Sequence, residues 1–285
     1  MTASHRTFLI TGVSTGLGRA FATGALEAGH TVVGTVRRPA DADAFRALAD
    51  GRAHARILDV TDEAAVAETV AEVERTLGPV DVLIANAGYG HEGLIEESSM
   101  ADLRRQFEVN VFGAVATIKA VLPGMRTRRR GHIFTVTSMG GLTTFPGLGF
   151  YHGSKYALEG ITETLAKEVR GFGVHVTAIE PGGFRTDWAG RSMVRAERGI
   201  GDYDSLFDPL RATREAGSGR QLGNPALAAA ALLRVIDAPD PPVHLLLGSD
   251  ALRLVSAGRA AVEEDFRTWE SLSRSTDFPD GTQIR

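Results

Sequence analysis

Seven short runs of almost uninterrupted apolar, β-branched residues punctuate the chain: RTFLIT (6–11), TVVGTV (31–36), HARIL (54–58), VDVLIA (80–85), HIFTVT (132–137), VHVTAI (174–179) and VHLLLG (243–248). Strands that are apolar at nearly every position are buried on both faces, as in a parallel sheet covered by helices. Between the runs lie Ala-rich segments of helical period at 16–29, 41–50, 62–77, 99–126, 151–171 and 224–237. This alternation predicts an α/β, doubly wound (Rossmann-type) parallel sheet of about seven strands with helices on both faces and right-handed crossovers. An amphipathic segment at 251–273 predicts an added helix, serving as a lid or an interface. Residues 182–223 carry no clear element, and a loop of that length inside a compact domain reads as a substrate lid. Residues 275–285 read as a loose tail. No Pro/Ser-rich linker and no repeat divides the chain, so residues 1–285 are expected to form a single domain.

Composition narrows the classes. The 285 residues are 43% apolar and 23% charged, the balance of a soluble globular protein. A net charge of −4 gives no general basic surface for nucleic acid or acidic lipid. The absence of cysteine excludes disulfides, thiolate nucleophiles and zinc–thiolate sites, in keeping with a reducing compartment. The first apolar run is too short for a signal peptide or a membrane span. A cytoplasmic protein without membrane or nucleic-acid partners is expected. The basic run RTRRRG (126–131) suits a solvated helix C-terminus. The eight histidines show no ligand spacing, and no metal is expected.

The segment TGVSTGLG (11–18) follows the first strand and opens a helix. Glycines there let backbone approach a phosphate, whose charge the helix N-terminus stabilises. A glycine cluster alone is equally compatible with a tight turn that binds nothing. Its place after the first strand of a βα series favours a dinucleotide. A triphosphate loop would need Gly-Lys-Ser/Thr, whereas Gly18 precedes Arg19 and Ala20. An acidic residue ending the second strand would take the ribose hydroxyls of NAD, but here Val36 is followed by Arg37 and Arg38. A guanidinium pairs well with a 2′-phosphate. NADP(H) is therefore expected, with Arg37 the leading contact and one of the two arginines a solvated loop charge.

TGVSTGLG, ANAG (85–88), Asn110, Ser138, Tyr151-x-x-x-Lys155 and PGGFRT (181–186) occur in this order. With them the chain resembles the short-chain dehydrogenase/reductase family over about residues 6–250. The Gly-x-x-x-Gly-x-Gly spacing is that family's variant of the dinucleotide turn, and Ala85 stands where the family often has Asn. The resemblance implies a cofactor cradle of Thr11, Gly12, Ser14, Thr15, Gly16, Leu17 and Gly18. It implies Asp59 at the adenine amino group, and Val60, Asn86, Ala87 and Gly88 along the cofactor. Thr186 would hydrogen-bond the nicotinamide carboxamide, with Pro181 and Gly182 also at the cofactor. Tyr151 would be the general acid, Lys155 its electrostatic partner and a ribose contact, Ser138 the carbonyl orienter, and Asn110 the keeper of a water in a proton relay. Homo-oligomers, a dimer or tetramer through helices 99–126 and 151–171, are also implied.

Elementary chemistry gives Tyr151 and Lys155 compatible roles. Residues at i and i+4 share a helix face, about 6 Å apart along the axis. A phenol near pKa 10 is lowered by a neighbouring ammonium and can then exchange a proton with a carbonyl oxygen. Taken singly, a strand-end Ser is usually a cap, Tyr and Lys at this spacing are usually packing and solvation, and a helical Asn is usually surface. Their joint order behind a dinucleotide turn favours chemistry. Met139, Phe145, Phe184 and Trp188 could form a hydrophobic substrate wall, with Phe150, Met193, Tyr203, Leu206 and Phe207 nearby; core packing or a subunit contact is the competing reading. His91 and His152 fall near the cleft, where packing is the expected role. The leading expectation is an NADP(H)-dependent oxidoreductase interconverting a ketone or aldehyde and an alcohol. The alternatives are a catalytically silent NADP(H)-binding sensor or scaffold and, third, a nucleotide-sugar epimerase or dehydratase.

Overall fold

The chain, described here from a computed structural model over residues 5–188 and 190–278, begins in the middle of its sheet. Its elements run β1 (Thr7–Ile10), α1 (Gly16–Glu27), β2 (Thr31–Val36), α2 (Pro39–Arg46), β3 (Ala53–Ile57), α3 (Glu63–Thr76), β4 (Val82–Ala85) and β5 (Gly90–Glu92). Next come α4 (Met100–Phe107), a π-turn (Glu108–Phe112), α5 (Gly113–Arg128), β6 (Gly131–Val136), α6 (Gly149–Val169) and β7 (Val174–Pro181). The chain continues through β8 (Met193–Arg195), α7 (Asp204–Ala216), α8 (Pro225–Ile236), β9 (His244–Leu247) and α9 (Ser249–Arg274). Seven strands form one parallel sheet in the order β3-β2-β1-β4-β6-β7-β9. The order reverses between β1 and β4, so a crevice opens at their carboxyl ends, where such sheets bind ligands.

Side-chain alternation sorts the strands onto two cores. Phe8 and Ile10 face one layer with Phe21, Phe45 and Leu232, which come from α1, α2 and α8. Leu9, between them, faces the other layer with Val70, Ile118, Val121 and Leu165, from α3, α5 and α6. Local signals start the helices where the sheet needs them. Asp62 accepts from Ala65 N at 2.9 Å to cap α3, Ser99 and Asp102 form a reciprocal capping box on α4, and Asn224 caps α8 ahead of Pro225.

The expected strands and helices are present to within a few residues, with three differences. The segment 182–223 is not an elementless loop: β8 pairs in parallel with β5, matching Gly90 to Met193 and Glu92 to Arg195, and α7 follows. The helix expected at 99–126 is interrupted at Asn110 by the π-turn. The tail lies outside the described residues from 279 onward, while Ser275 and Asp277 still donate to carbonyls of the last turn of α9. The helical stretch Met100–Arg128 is long and apolar enough, by length and composition, to cross a membrane. Here Val121 and Met125 of that stretch are fully buried against the sheet.

Candidate active site

A cleft of about 1070 Å³ runs along the carboxyl edge of the sheet, from the glycine turn to the segment after β7. The turn's shape follows from two contacts. A side chain at Gly18 would collide with Asn86 Nδ2 at 2.3 Å and Gly12 O at 2.4 Å, so helix α1 approaches its own turn only through a glycine. Gly16 has φ +64° and its missing Cβ would meet nothing nearer than Thr186 Cβ at 4.0 Å, leaving open space above the helix start. Thr15 occupies the N-cap without a side-chain capping bond, and the first turn of α1 has no acidic residue. Free N–H groups and a positive helix end therefore face that space. Thr11 does not line the cleft but holds it: its hydroxyl accepts from Asn86 N and Ala87 N, both at 2.9 Å. Asn86 Nδ2 in turn donates to Thr11 O at 2.8 Å and Gly12 O at 3.0 Å.

At the far end of the turn the two arginines separate. Arg37 lines the cleft. Arg38 does not: it turns away to Asp41, donating from Nε at 2.8 Å and from a terminal nitrogen at 2.7 Å. Asp41, in the first turn of α2, offers Arg38 this bidentate partner outside the cleft. Asp59 Oδ1 accepts from Thr61 N at 3.0 Å and Thr61 Oγ1 at 2.8 Å. Those bonds, led by the backbone one, hold its carboxyl below the usual range.

At the other end, Ser138, Tyr151 and Lys155 converge on the cleft wall. Ser138 follows β6 and its Oγ accepts from Gly140 N at 3.0 Å, with the hydroxyl near enough to Tyr151 to favour its ionised form. Lys155 Nζ lies 5.8 Å from the Tyr151 ring centroid and donates to Val136 O at 2.8 Å. Burial pushes the Tyr151 phenol up to about 12, with the nearby Ser138 hydroxyl opposing. The direction is opposite to the acidification expected from a neighbouring ammonium, because desolvation dominates. Burial also brings Lys155 down to about 8, against the opposing charge of Glu159.

Asn110 is buried and does not reach the cleft. Its Oδ1 accepts from Tyr89 N at 3.1 Å, and its Nδ2 donates to Tyr89 O at 3.0 Å and Ser154 Oγ at 3.1 Å. Ser154 Oγ donates to Tyr151 O at 2.7 Å. Its side chain ties the loop after β4 to the helix of Tyr151. His152 bridges from the next position, with Nδ1 2.7 Å from Gly140 O and Nε2 accepting from Phe145 N at 3.0 Å. Burial pushes its pKa below the ordinary histidine value, and one donor and one acceptor nitrogen are what the neutral ring offers. His91 is buried against Phe150, at 5.3 Å between centroids, and is not in the cleft wall.

The short chain dehydrogenase family model matches residues 6–195. The chain belongs to the short-chain dehydrogenase family. Across 93% of its length it is 36% identical to Oxidoreductase BOA17 of Botryotinia fuckeliana, 97% of which is covered. It is 35% identical to 3-ketodihydrosphingosine reductase of Bacteroides thetaiotaomicron, over 84% of this chain and 87% of that one. The crystal structure of a short-chain dehydrogenase from Streptomyces avermitilis superposes with a TM-score of 0.90 at 39% identity, over 96% of this chain and all (100%) of that one. It is an oxidoreductase of that family; among solved structures of the same fold, a short chain dehydrogenase/reductase from Burkholderia phymatum is in complex with NAD and ElxO has NADP bound.

The residues of this dehydrogenase fit such a cofactor. Ser14, Thr15, Gly16, Leu17, Val60, Ala87, Gly88, Pro181, Gly182 and Thr186 all line one continuous cleft between the uncapped start of α1 and Tyr151. Met139, Phe145, Phe184 and Trp188 line it as well, and the Trp188 ring lies 5.3 Å from that of Tyr151. Sequence reasoning missed the roof. Glu92 is 1% exposed and takes Arg195 Nε at 2.9 Å, Arg214 at 2.8 Å and Arg211 Nε at 3.5 Å. Arg214 also donates to Pro146 O at 2.6 Å. These partners lie about a hundred residues apart in the chain, so no spacing reveals them; the arginine-rich, half-apolar run 191–214 was the available signal.

Proposed function

We propose that this dehydrogenase is an NADP(H)-dependent carbonyl reductase, running equally in reverse as an alcohol dehydrogenase, on a hydrophobic substrate. The observation that carries this reading is the meeting of the Ser138 and Tyr151 hydroxyls on the wall of a cleft whose opposite end presents Arg37 and a free helix N-terminus. The reduced nicotinamide supplies the hydride. Ser138 donates a hydrogen bond to the substrate oxygen as negative charge develops there. Tyr151, kept protonated by its burial, gives that oxygen its proton. Lys155 stabilises the phenolate left behind. In reverse, the same ammonium and the positive charge of an oxidised ring oppose the desolvation that holds the phenol up. Asn110 and His152 act by positioning: one fixes the helix of Tyr151, the other the loop of Ser138.

Arg37 supports the choice of NADP(H), since it lines the cleft while no acid ends β2. The name of the Bacteroides relative, a ketone reductase, agrees with the direction proposed. The apolar wall around Tyr151 favours a hydrophobic ketone. The same reading includes a cytoplasmic homo-oligomer. Exposed Met100 and Phe112 on the α4–α5 stretch, and Tyr156 and Ile161 on α6, offer apolar surface for pairing.

The test is oxidation of NADPH and of NADH, followed by absorbance, against a panel of apolar ketones. Turnover with NADPH preferred is expected. Arg37→Ala should raise KM for NADPH about 10- to 100-fold, the worth of a charge-assisted contact, and leave KM for NADH within about twofold. No turnover with either cofactor, despite tight NADPH binding, would instead mark a silent sensor. A preference for NADH would remove the assignment of Arg37.

A further inference from the structure

One cluster of ionisable side chains lies outside the cleft and touches the proposed reaction only through the charge of Glu159 on Lys155. Glu159 on α6, Glu180 near the end of β7 and His244 at the start of β9 each offer a ligand atom, and these atoms lie within 4.8 Å of one another. The strand pairing explains the convergence. His244 is in register with Ala178, so Glu180, two residues on, projects from the same face of the sheet. That is the face packed by α6, which carries Glu159.

The cluster is buried and under-satisfied. The side chains of Glu159 and Glu180 are 7% and 0% exposed. Among the described residues, both oxygens of Glu159 and Oε2 of Glu180 have no hydrogen-bond partner. The nearby donors have other acceptors: Thr137 Oγ1, although close to Glu159, donates to Ile179 O at 2.9 Å, and Lys155 Nζ donates to Val136 O at 2.8 Å. His244 Nδ1 lies 2.6 Å from Glu180 Oε1 and 3.7 Å from Glu159 Oε2. Buried carboxylate oxygens without partners are costly and call for a proton or a cation.

We propose that Glu159, Glu180 and His244 form a binding site for one divalent transition-metal ion of the zinc class. Two carboxylates and an imidazole are a donor set that such ions accept, with water completing the shell. Metal–ligand bonds of about 2.0–2.2 Å in a tetrahedron place ligand atoms about 3.4 Å apart, within the range the three residues span. His244, 37% exposed, provides the way in from solvent. The ion would join three elements, α6, β7 and the edge strand β9, one turn beyond Lys155. Positions 159, 180 and 244 have none of the short spacings that mark a metal site in sequence, because the sheet and not the local chain assembles them.

The experiment uses the full chain, stripped with EDTA, dialysed and titrated with Co²⁺ as a spectroscopic probe and with Zn²⁺ as competitor. One equivalent of Co²⁺ should bind, give visible ligand-field bands and be displaced by Zn²⁺, and Zn²⁺ should raise Tm. His244→Ala, at a half-exposed position, and the isosteric Glu180→Gln and Glu159→Gln should each weaken Co²⁺ binding at least about tenfold and abolish the Tm rise. NADPH binding by fluorescence reports that the variants are folded. Absence of stoichiometric binding, or binding that the three variants leave unchanged, would overturn the site. The two carboxyls would then be sharing a proton. Neither result depends on whether the protein reduces ketones.

Discussion

Lys155 sits where two influences compete. Burial brings its ammonium down to about 8, and the charge of Glu159 pulls the other way. Tyr151, raised to about 12, stays protonated throughout the range in which an enzyme can be assayed. The sign of the pH dependence follows. Below about 8 the cation beside the phenol is present; above it, the cation is lost while the phenol keeps its proton. Across about pH 6–10, kcat/KM for NADPH, which reports the free enzyme, should therefore fall on an alkaline limb near 8. Lys155→Arg, whose guanidinium keeps its charge, should lose that limb even at a lower rate. A profile flat to the alkaline end would contradict the role given to Lys155. Tyr151, Lys155 and Ser138 were legible in the sequence because their spacing and their place after a strand are local facts. The direction of the Tyr151 shift was not, since it depends on how completely the fold excludes water from the phenol.

At the scale of elements, the roof of the cleft is the least local part of the protein. Glu92 on β5 gathers Arg195 from β8 with Arg211 and Arg214 from α7, and Arg198 joins Glu97 at 3.0 Å to Asp204 and Asp208 of α7. Phe207, fully buried, packs beneath the guanidiniums of Arg198 and Arg211, at 5.0 and 5.1 Å from its centroid. Removing one partner of a buried ion cluster leaves the others uncompensated, at about 3–5 kcal/mol. Glu92→Gln should therefore loosen 193–216: limited proteolysis there should quicken and KM for a ketone should rise, with NADPH affinity within about twofold. Unchanged proteolysis and KM would show that the roof is held by other contacts. The strands were readable because parallel strands are apolar on both faces, whereas β8 is three residues long and pairs with a strand a hundred positions away. The π-turn at Asn110 was unreadable for a related reason: it is fixed by the contacts of Asn110 with Tyr89 and Ser154. The start of α2 was legible and misplaced. Pro39, which suits the first helical position, marked it two residues before the segment expected from 41.

At the scale of the whole molecule, the site is a property of the sheet edge. The glycine turn, Arg37, Asp59, Asn86, Ser138 and Thr186 follow β1, β2, β3, β4, β6 and β7, and the parallel order brings six separate chain segments to one cleft. The motif order in the sequence is the order of the strands, which is why so much of the site could be placed before the fold was known. The central claim is that the Tyr151 hydroxyl transfers the proton at a carbonyl beside a nicotinamide. The most direct measurement is turnover and NADPH binding of Tyr151→Phe, which removes one oxygen and keeps the ring packed against Trp188. The account expects kcat for ketone reduction to drop by about 100- to 10,000-fold with NADPH affinity retained within about threefold. Turnover close to that of the unmodified protein would contradict it.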